Sequence, residues 1–352
     1  MPPKRFIQIG TGGFGGSWVR DFMPRLIDEL KIAQAVAVAD VNTNSFPDAM
    51  ARYHLPAEKC YTDIARAFAE NDADFAIIVV PPAHHEKIVD LALGKGMNIL
   101  SEKPIADTME ASCRIFKKVK SAGRKMAVTM SHRFDQDKQS LEREVKSGRH
   151  GRLNYIVGRN TWNNRKFGSW GEFRHKIADP LLIEGTVHHF DCIRALSGSN
   201  AKTVYALTWN PPWGEFAGDC TGLITMEMEN GVKVIYEGAK ANATALNTWS
   251  QEYFRAECES ATVELDNRKL RVISDLNGER STTDKALLRQ PAWTNSWLAE
   301  LFVNWLNGGE APPNQLDDNI HCAALTFAAV ESAHTRKVVD VAEYLKRHMD
   351  AQ

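Results

Sequence analysis

The chain has 352 residues, of which 43% are hydrophobic, and a formal net charge of -1. This length and composition predict a folded protein of two domains. Its 43 basic and 44 acidic residues are interspersed, so there is no basic stripe to indicate a nucleic-acid partner. No apolar run approaches the roughly 20 residues that span a bilayer, and the N-terminus lacks the apolar segment of a signal peptide. The six cysteines are scattered without a Cys-x-x-Cys pair, which favours reduced thiols in a cytoplasmic protein.

A glycine-rich turn follows the first predicted strand, residues 5–9, and precedes a helical pattern. Gly10, Gly12 and Gly15 have the Gly-x-Gly-x-x-Gly spacing of a dinucleotide-binding turn. The first glycine permits the tight turn, the second lets the backbone approach a pyrophosphate, and the third allows close packing of helix on strand. A turn without a ligand is the alternative, but the position between strand and helix favours a nucleotide.

The second predicted strand, residues 35–39, ends at Asp40. A carboxylate at this place can accept hydrogen bonds from ribose hydroxyls and would repel a 2′-phosphate. Asp40 therefore favours NAD over NADP, with NADP kept as a possibility. The alternative is a surface aspartate in a turn.

Two further predicted strands end at residues that could take part in catalysis or ligand binding. The apolar run 75–80 ends at Pro81-Pro82, and the loop after it carries His84-His85. Adjacent histidines point in different directions, so a role at the start of a helix is favoured over a metal site. The next strand ends at Ser101-Glu102-Lys103-Pro104. Because ligands bind at the carboxyl ends of strands in open α/β sheets, Lys103 is either a functional cation or a surface lysine in a turn.

From residue 153 the pattern changes to short alternating strands joined by tight turns, which predicts an antiparallel sheet with helices. We therefore expect residues 1–131 to form a doubly wound parallel Rossmann domain. Residues 132–352 are expected to form an α+β domain with a large, mainly antiparallel, open-faced sheet. An uncovered sheet face needs a partner, and we expect a homodimer or homotetramer that associates through this sheet.

The segment 181–196 is predicted to be a helix on which Glu184 and His188 share a face. This pair has three possible interpretations: an acid–base pair, metal ligands, or a hydrogen bond on the helix surface. A third firm metal ligand is hard to name, so no metal is predicted. His189 and Asp191 are interpreted as packing and tethering residues.

Upstream lies a long loop, residues 162–176, that is rich in aromatic and polar side chains. Rings that stack on sugar faces, beside amide and guanidinium donors, suit a polyhydroxylated ligand. An ordinary surface loop is the alternative. The candidate substrate contacts, including two residues outside the loop, are Arg133, Trp162, Arg165, Arg174, His175 and His189.

Over nearly its whole length the sequence resembles the glucose–fructose oxidoreductase, inositol dehydrogenase and rhizopine-catabolism family of NAD(P)-dependent oxidoreductases. The specific element is Glu102-Lys103-Pro104 at a fixed distance from His85. The other matching motifs are Gly10-Thr11-Gly12-Gly13-Phe14-Gly15, Asp40-Val41-Asn42, Pro81, Arg133-Phe134 and the helix from Glu184 to Asp191. This chain departs from the commoner family pattern in having Glu184 where Asp is usual and Thr186 where Gly is usual.

The resemblance implies hydride transfer between nicotinamide and a CH–OH carbon of a sugar, cyclitol or sugar derivative. It places Lys103, Glu184 and His188 around the reacting carbon, with His188 as general base, Lys103 donating to the substrate oxygen, and Glu184 orienting one of them. The residues implied for cofactor binding are Gly10, Gly12, Gly13, Phe14, Gly15, Asp40, Val80, Pro81, His85, Glu102 and Lys103. Two alternatives within the fold are a redox-neutral, NAD-dependent glycosidase and a non-enzymatic nucleotide-binding transcriptional regulator.

Overall fold

The structure, a computed structural model, describes residues 1–276 and 278–352. The chain forms two compact units, one of residues 1–134, 291–320 and 351–352, the other of residues 135–290 and 321–350. The helices in chain order are α1 (Phe14–Ser17), α2 (Phe46–Tyr53), α3 (Ile64–Ala69), α4 (His85–Gly94), α5 (Met109–Ser121), α6 (Gln136–Lys146), α7 (Glu172–Lys176), α8 (Val187–Ser197), α9 (Thr294–Leu306), α10 (Leu316–Thr335) and α11 (Val341–Asp350). Within the described ranges, no helix is both long enough and apolar enough to cross a membrane.

The first unit contains a six-stranded sheet in the order β3-β2-β1-β4-β5-β6. Its strands are β1 (Lys4–Ile9), β2 (Ala33–Ala39), β3 (Cys60–Tyr61), β4 (Phe75–Ile78), β5 (Asn98–Ser101) and β6 (Met126–Val128). All neighbouring strands are parallel. Every residue of β4 is buried, as expected for a parallel strand covered on both faces. The predicted doubly wound parallel sheet is confirmed.

The register of this sheet brings the carboxyl ends of four strands to one edge. Ile9 pairs with Ala39 on one side and with Ile78 on the other, and Ile78 also pairs with Ser101. The residues that follow each strand therefore begin at the same level of the sheet. This edge carries the glycine turn, Asp40, the loop after β4 and the Glu102-Lys103-Pro104 segment.

The segment 291–320 belongs to the first unit, whereas the sequence-based boundaries assign it to the second domain. The reason lies in the aromatic side chains of α9. Phe302 packs on Phe75 with ring centroids 5.5 Å apart, and Trp297 packs on Phe134 at 5.4 Å. Burial of these rings against the parallel sheet stabilises the return of the chain to the first unit.

The second unit is built on a nine-stranded sheet in the order β14-β13-β12-β11-β7-β10-β9-β8-β15. Its strands are β7 (Leu153–Thr161), β8 (Ala201–Trp209), β9 (Thr221–Met228), β10 (Lys233–Ala239), β11 (Tyr253–Cys258), β12 (Thr262–Asp266), β13 (Lys269–Leu276), β14 (Glu279–Lys285) and β15 (Val339–Asp340). The central β7 and β10 are parallel, and the other pairs are antiparallel. The expected mainly antiparallel sheet is confirmed.

Alternate residues of the second sheet are buried and exposed. In β9, for example, Ile224 and Met226 are buried whereas Leu223 is 49% exposed. The buried face packs against helices α6 and α8, where the rings of Phe190 and Tyr236 lie 5.9 Å apart. The strand β14 is missing from the sequence-based prediction because nearly all its side chains are exposed and no apolar alternation marks it.

Candidate active site

The glycine turn of the first unit is shaped by close backbone contacts. Gly10 has φ +88°, and a Cβ at this position would lie 1.9 Å from the carbonyl oxygen of Val79. A Cβ on Gly15 would lie 2.4 Å from the carbonyl oxygen of Gly10. No side chain fits at either place. Gly13, by contrast, is exposed, with φ +52° and open space around it, and Phe14 beside it is 53% exposed.

Asp40 fixes the turn from the neighbouring strand end. Its Oδ2 accepts hydrogen bonds from the amides of Thr11 at 2.7 Å and Gly12 at 2.8 Å. Its Oδ1 accepts from the amide of Asn42 at 2.8 Å. These charge-assisted bonds hold the carboxylate beside the turn. The sequence predicted the residue and its place, but not its bonds to the glycine turn.

His85 joins the loops that follow β4 and β5. The ring is completely buried. Its Nε2 lies 2.9 Å from the carbonyl oxygen of Val80, and its Nδ1 lies 3.1 Å from that of Pro104 and 3.1 Å from that of Ile105. Burial lowers the pKa of His85, although these carbonyls oppose the shift. His85 therefore positions the Lys103–Pro104 segment, whose peptide bond is cis.

Glu102 is buried at the end of β5, and Lys103 beside it is half-buried. Trp18 donates from Nε1 to Glu102 Oε1 at 2.9 Å, and the amide of Lys103 donates to Glu102 Oε2 at 3.2 Å. Burial raises the pKa of the Glu102 carboxyl, while the Trp18 bond opposes the shift. These bonds hold the Glu102 carboxyl in the interior. Lys103 follows the end of β5 at the predicted edge of the sheet.

Arg133 takes part in the packing of the first unit. Its side chain is only 6% exposed and contacts Asp318 at 3.2 Å. Its Nη1 also donates to the carbonyl oxygen of Pro313. These partners tie it to the connector before α10 and to the first turn of that helix. Arg133 was suggested from the sequence as a substrate contact, and these bonds give its guanidinium a part in holding the fold.

In the second unit the helical segment predicted over 181–196 is present. It opens with a π-helical turn, Leu181–Thr186, and continues as α8. Glu184 and His188 are 6% and 3% exposed. The edge of the His188 ring packs against Trp249, with ring centroids 5.0 Å apart and planes at 87°. Trp249 is 43% exposed, so the buried imidazole contacts a ring that reaches the surface.

His189 belongs to the core of the second unit. It is completely buried, and its Nδ1 lies 2.6 Å from the hydroxyl of Tyr236. Glu252 Oε1 lies 3.7 Å from its Nε2. These contacts agree with the interpretation of His189 as a packing residue rather than with a substrate contact.

The aromatic loop is held by its own polar groups. Arg165 donates from Nε to the carbonyl oxygens of Ala241 and Asn242, both at 3.1 Å. His175 is buried and stacks on Phe216 with ring centroids 4.0 Å apart. Both side chains therefore support the loop.

Arg174 and Trp162 are half-buried, whereas His175 is buried. Arg174 donates from Nε to Glu184 Oε2 at 3.0 Å and remains 31% exposed. Trp162 is half-buried, and its Nε1 donates to Asn160 Oδ1 at 3.0 Å.

Lys240 was missed by the sequence-based reasoning. It follows β10 directly, is 2% exposed, and donates from Nζ to Asn160 Oδ1 at 3.0 Å. The ammonium lies 5.3 Å from the ring centre of Trp162 and 4.7 Å from that of Trp170. A lysine after a strand has no distinguishing local pattern. The tryptophan-rich loop was the one signal that aromatic rings could surround a cation.

Two family profiles cover most of the chain. The profile described as an oxidoreductase family with an NAD-binding Rossmann fold matches residues 4–130. The profile for the C-terminal alpha/beta domain of the same oxidoreductase family matches residues 143–341. The chain belongs to the Gfo/Idh/MocA oxidoreductase family. The resemblance to the glucose–fructose oxidoreductase, inositol dehydrogenase and rhizopine-catabolism proteins is thereby confirmed.

Relatives of this Gfo/Idh/MocA protein include an uncharacterized protein of Sinorhizobium fredii, 42% identical over 98% of this chain and 97% of that protein. An inositol 2-dehydrogenase of Corynebacterium glutamicum is 28% identical over 66% of this chain and 67% of that protein. An oxidoreductase from Agrobacterium radiobacter, crystallised with NAD+, L-tartaric acid and magnesium, has the same fold. It superposes with a TM-score of 0.83 at 19% identity, over 97% of this chain and 99% of that one.

Membership of this family makes the protein an NAD-binding dehydrogenase, as the sequence predicted. The first unit suits the nucleotide. Positions 10 and 15 lack room for a Cβ, so the backbone itself lines the turn. The amides of Gly15 and Gly16 donate to the carbonyl oxygens of Gly12 and Gly13 at 2.8 Å and 3.1 Å, which closes the turn at the start of α1. Gly10, Gly12, Gly13, Phe14, Gly15 and Asp40 are the residues that would hold NAD here.

Proposed function

We propose that this dehydrogenase oxidises, or in reverse reduces, a CH–OH carbon of a sugar- or cyclitol-like small molecule, with NAD as its coenzyme. The observation that carries the proposal is a buried carboxylate and imidazole, Glu184 and His188, on one helical segment of the second unit. The glycine turn of the first unit, considered by itself, supports the nucleotide. The inositol 2-dehydrogenase activity of a relative supports a polyhydroxylated substrate.

His188 is the proposed general base that accepts the proton of the reacting hydroxyl. An imidazole can exchange a proton at neutral pH, and the T-shaped contact with Trp249 helps to orient the ring. Lys103 is proposed to donate a hydrogen bond to the substrate oxygen as negative charge develops on it. Bound NAD supplies the acceptor for the hydride.

Glu184 is proposed to be a positioning residue. Its carboxylate accepts from Arg174 and so orients that guanidinium. A glutamate side chain is one methylene longer than aspartate, which agrees with a carboxylate that reaches away from the helix toward α7.

We also propose that two copies associate through the open face of the second sheet and that the protein acts in the cytoplasm. Leu207 and Leu223, which pair across β8 and β9, are 40% and 49% exposed, and Ile235 on β10 is 52% exposed. Adjacent apolar side chains of this size favour a protein partner. No disulfide joins the six cysteines, all of which lie within the described residues, as in a reducing compartment.

The experiment that tests the function is the growth of reduced-nicotinamide absorbance when the purified protein is mixed with NAD and a panel of sugars, cyclitols and sugar acids. We expect growth with one substrate class and none with the His188→Ala protein. Silence across the panel would contradict the proposal. Hydrolysis of a glycoside without net NAD consumption would indicate the redox-neutral glycosidase instead, and nucleotide binding without any turnover would indicate a regulator.

The association is tested by sedimentation velocity. Wild-type protein should sediment as a dimer or tetramer, and Leu223→Asp should shift it toward the monomer. A wild-type monomer at micromolar concentration would contradict the proposed association without bearing on the chemistry.

A further inference from the structure

Lys240 is a buried cation in an unusual setting. Its side chain is 2% exposed, and its ammonium lies over the rings of both Trp162 and Trp170. Removing an ammonium group from water is costly unless other groups replace its hydration. Two indole faces and the amide oxygen of Asn160 are among the groups that do so here. A fold that needed only apolar packing here would use a leucine or a methionine.

A second cation, Arg174, lies on the indole of Trp170. The guanidinium carbon of Arg174 is 5.3 Å from the ring centre of Trp170 and 4.5 Å from that of Phe173. Its Nε donates to Glu184 and its Nη1 to the carbonyl oxygen of Trp170 at 3.1 Å. Within the described ranges, these two bonds leave Nη2 available to a ligand, and the side chain is 31% exposed.

The backbone beside Glu184 brings the two cations to one place. A Cβ on Gly185 would lie 2.9 Å from Lys240 Cε, 3.0 Å from Lys240 Nζ and 3.7 Å from the ring of Trp170. Lys240 thus packs directly on position 185, while Arg174 binds the carboxylate of position 184. Both cations therefore approach the helical turn that leads to His188.

We propose that Arg174 and Lys240 recognise a carboxylate on the substrate, so that the enzyme acts on a polyhydroxylated acid rather than on a neutral sugar or cyclitol. The inference rests on the proposed function, because it assigns the substrate class of that site. A guanidinium with an available N–H₂ edge binds carboxylates directionally, and the ammonium nearby adds positive potential.

Binding to matched pairs of ligands tests the proposal without requiring turnover. The NAD-loaded protein is titrated by calorimetry with D-gluconate and D-glucitol, and with D-glucuronate and D-glucose. We expect the acid of at least one pair to bind about 10-fold more tightly than its neutral partner, or better, since hydrogen bonds to charged groups contribute about 1.5–3 kcal/mol. Equal binding within both pairs, tighter binding of the neutral partners, or no binding of either acid would overturn the assignment.

Variants locate the preference. Arg174→Met and Lys240→Met remove the charges and keep unbranched apolar side chains against the rings. Each should weaken binding of the acid about 10-fold and change binding of its neutral partner less than about 2-fold. Lys346→Met, at an exposed position of α11, is the matched control and should leave both affinities unchanged. A preference for the acid that survives in both the Arg174 and the Lys240 variants would overturn the proposal.

The outcomes separate this inference from the proposed function. If Lys240→Met does not fold, as judged by circular dichroism, the partly exposed Arg174 variant still decides the question. NAD reduction by a neutral polyol alone would leave the dehydrogenase proposal standing and remove the acid preference. Charge-dependent binding of an acid without NAD reduction would support the acid preference and remove the dehydrogenase proposal.

Discussion

The two units hold their candidate residues in different ways. In the first, the residues follow strand ends within short motifs and are fixed by backbone groups, as when Asp40 accepts from the amides of Thr11 and Gly12. In the second, side chains from distant parts of the chain meet, as when Lys240 donates to Asn160 across 80 residues. Backbone-defined sites leave a local pattern in the sequence. Side-chain clusters leave their pattern only in the fold.

The largest effects are expected where chemistry is proposed for a single side chain, His188 in the second unit and Lys103 in the first. His188→Ala should lower kcat by about 10² to 10⁴, the usual contribution of a general base, with the dissociation constant of NAD nearly unchanged. Lys103→Met should also lower kcat strongly with NAD affinity nearly normal. Steady-state kinetics and calorimetry measure the two quantities separately. His348→Ala on α11 is the control, and near-normal turnover in both test variants would remove the assignment.

In the first unit the corresponding test does not remove a functional group. It asks whether the backbone of the glycine turn has room for a Cβ atom. Gly10→Ala places a Cβ 1.9 Å from a carbonyl oxygen, whereas Gly13→Ala meets no atom within 4 Å. Both positions have positive φ, which L side chains rarely adopt, so backbone strain of about 1–3 kcal/mol is expected at each. We expect Gly13→Ala to lose about 1–3 kcal/mol of unfolding free energy from this strain, and Gly10→Ala to lose more, by about 1–3 kcal/mol, because its Cβ also overlaps a carbonyl oxygen.

Urea unfolding of the nucleotide-free protein measures both variants. Equal losses would mean that the turn can relax around a Cβ at position 10. The backbone would then not define this part of the site, and the contrast between the units would fail.

The same contrast explains how far the sequence could be interpreted. The parallel sheet, the glycine turn and the strand-end position of Lys103 were predictable because period, spacing and sheet topology determine them. The bonds of Asp40 to the turn and the burial of His85 under two loops were not, since both depend on the register between strands. Lys240 was not predictable because nothing in residues 239–241 indicates the indoles that surround it.

For a similar reason, the sequence does not show that residues 291–320 pack in the first unit. The aromatic stripe of α9 indicates a buried helix but not the surface that it covers. Its partners Phe75 and Phe134 lie far away in the sequence, and only the folded chain identifies them.

Substitution of Asp40 should have a smaller effect, on nucleotide affinity. Its side chain both accepts from the amides of the turn and is proposed to contact the ribose. Asp40→Ser should weaken NAD binding about 10- to 100-fold, in line with the loss of charged hydrogen bonds, and weaken NADP binding less. Asp40→Asn keeps an oxygen for the amides of Thr11 and Gly12 but removes the charge. It should therefore retain the shape of the turn while shifting preference toward NADP. Calorimetry with both nucleotides is the measurement, and an unchanged preference in both variants would exclude a ribose contact.

The smallest expected effect concerns Glu102, which is held in the first unit by side-chain as well as backbone donors. Burial raises the pKa of its carboxyl, so the folded state favours the protonated form. The resulting stabilisation is complete below the carboxyl's ordinary pKa and is lost as the pH rises through the raised folded-state value.

Glutamine is uncharged at every pH and can still accept from Trp18 Nε1, so Glu102→Gln lacks this dependence. We expect the melting temperature of Glu102→Gln, relative to wild type, to rise as the pH increases from about 4 to about 7. The exposed Glu58→Gln should show no such trend. If instead the melting temperature of wild type rose relative to that of Glu102→Gln with increasing pH, the hydrogen bonds from Trp18 and from the amide of Lys103 would outweigh the effect of burial on the pKa of the carboxyl. Glu102 would then hold the strand end as a carboxylate, and a charged side chain would join the backbone in defining the first unit's edge.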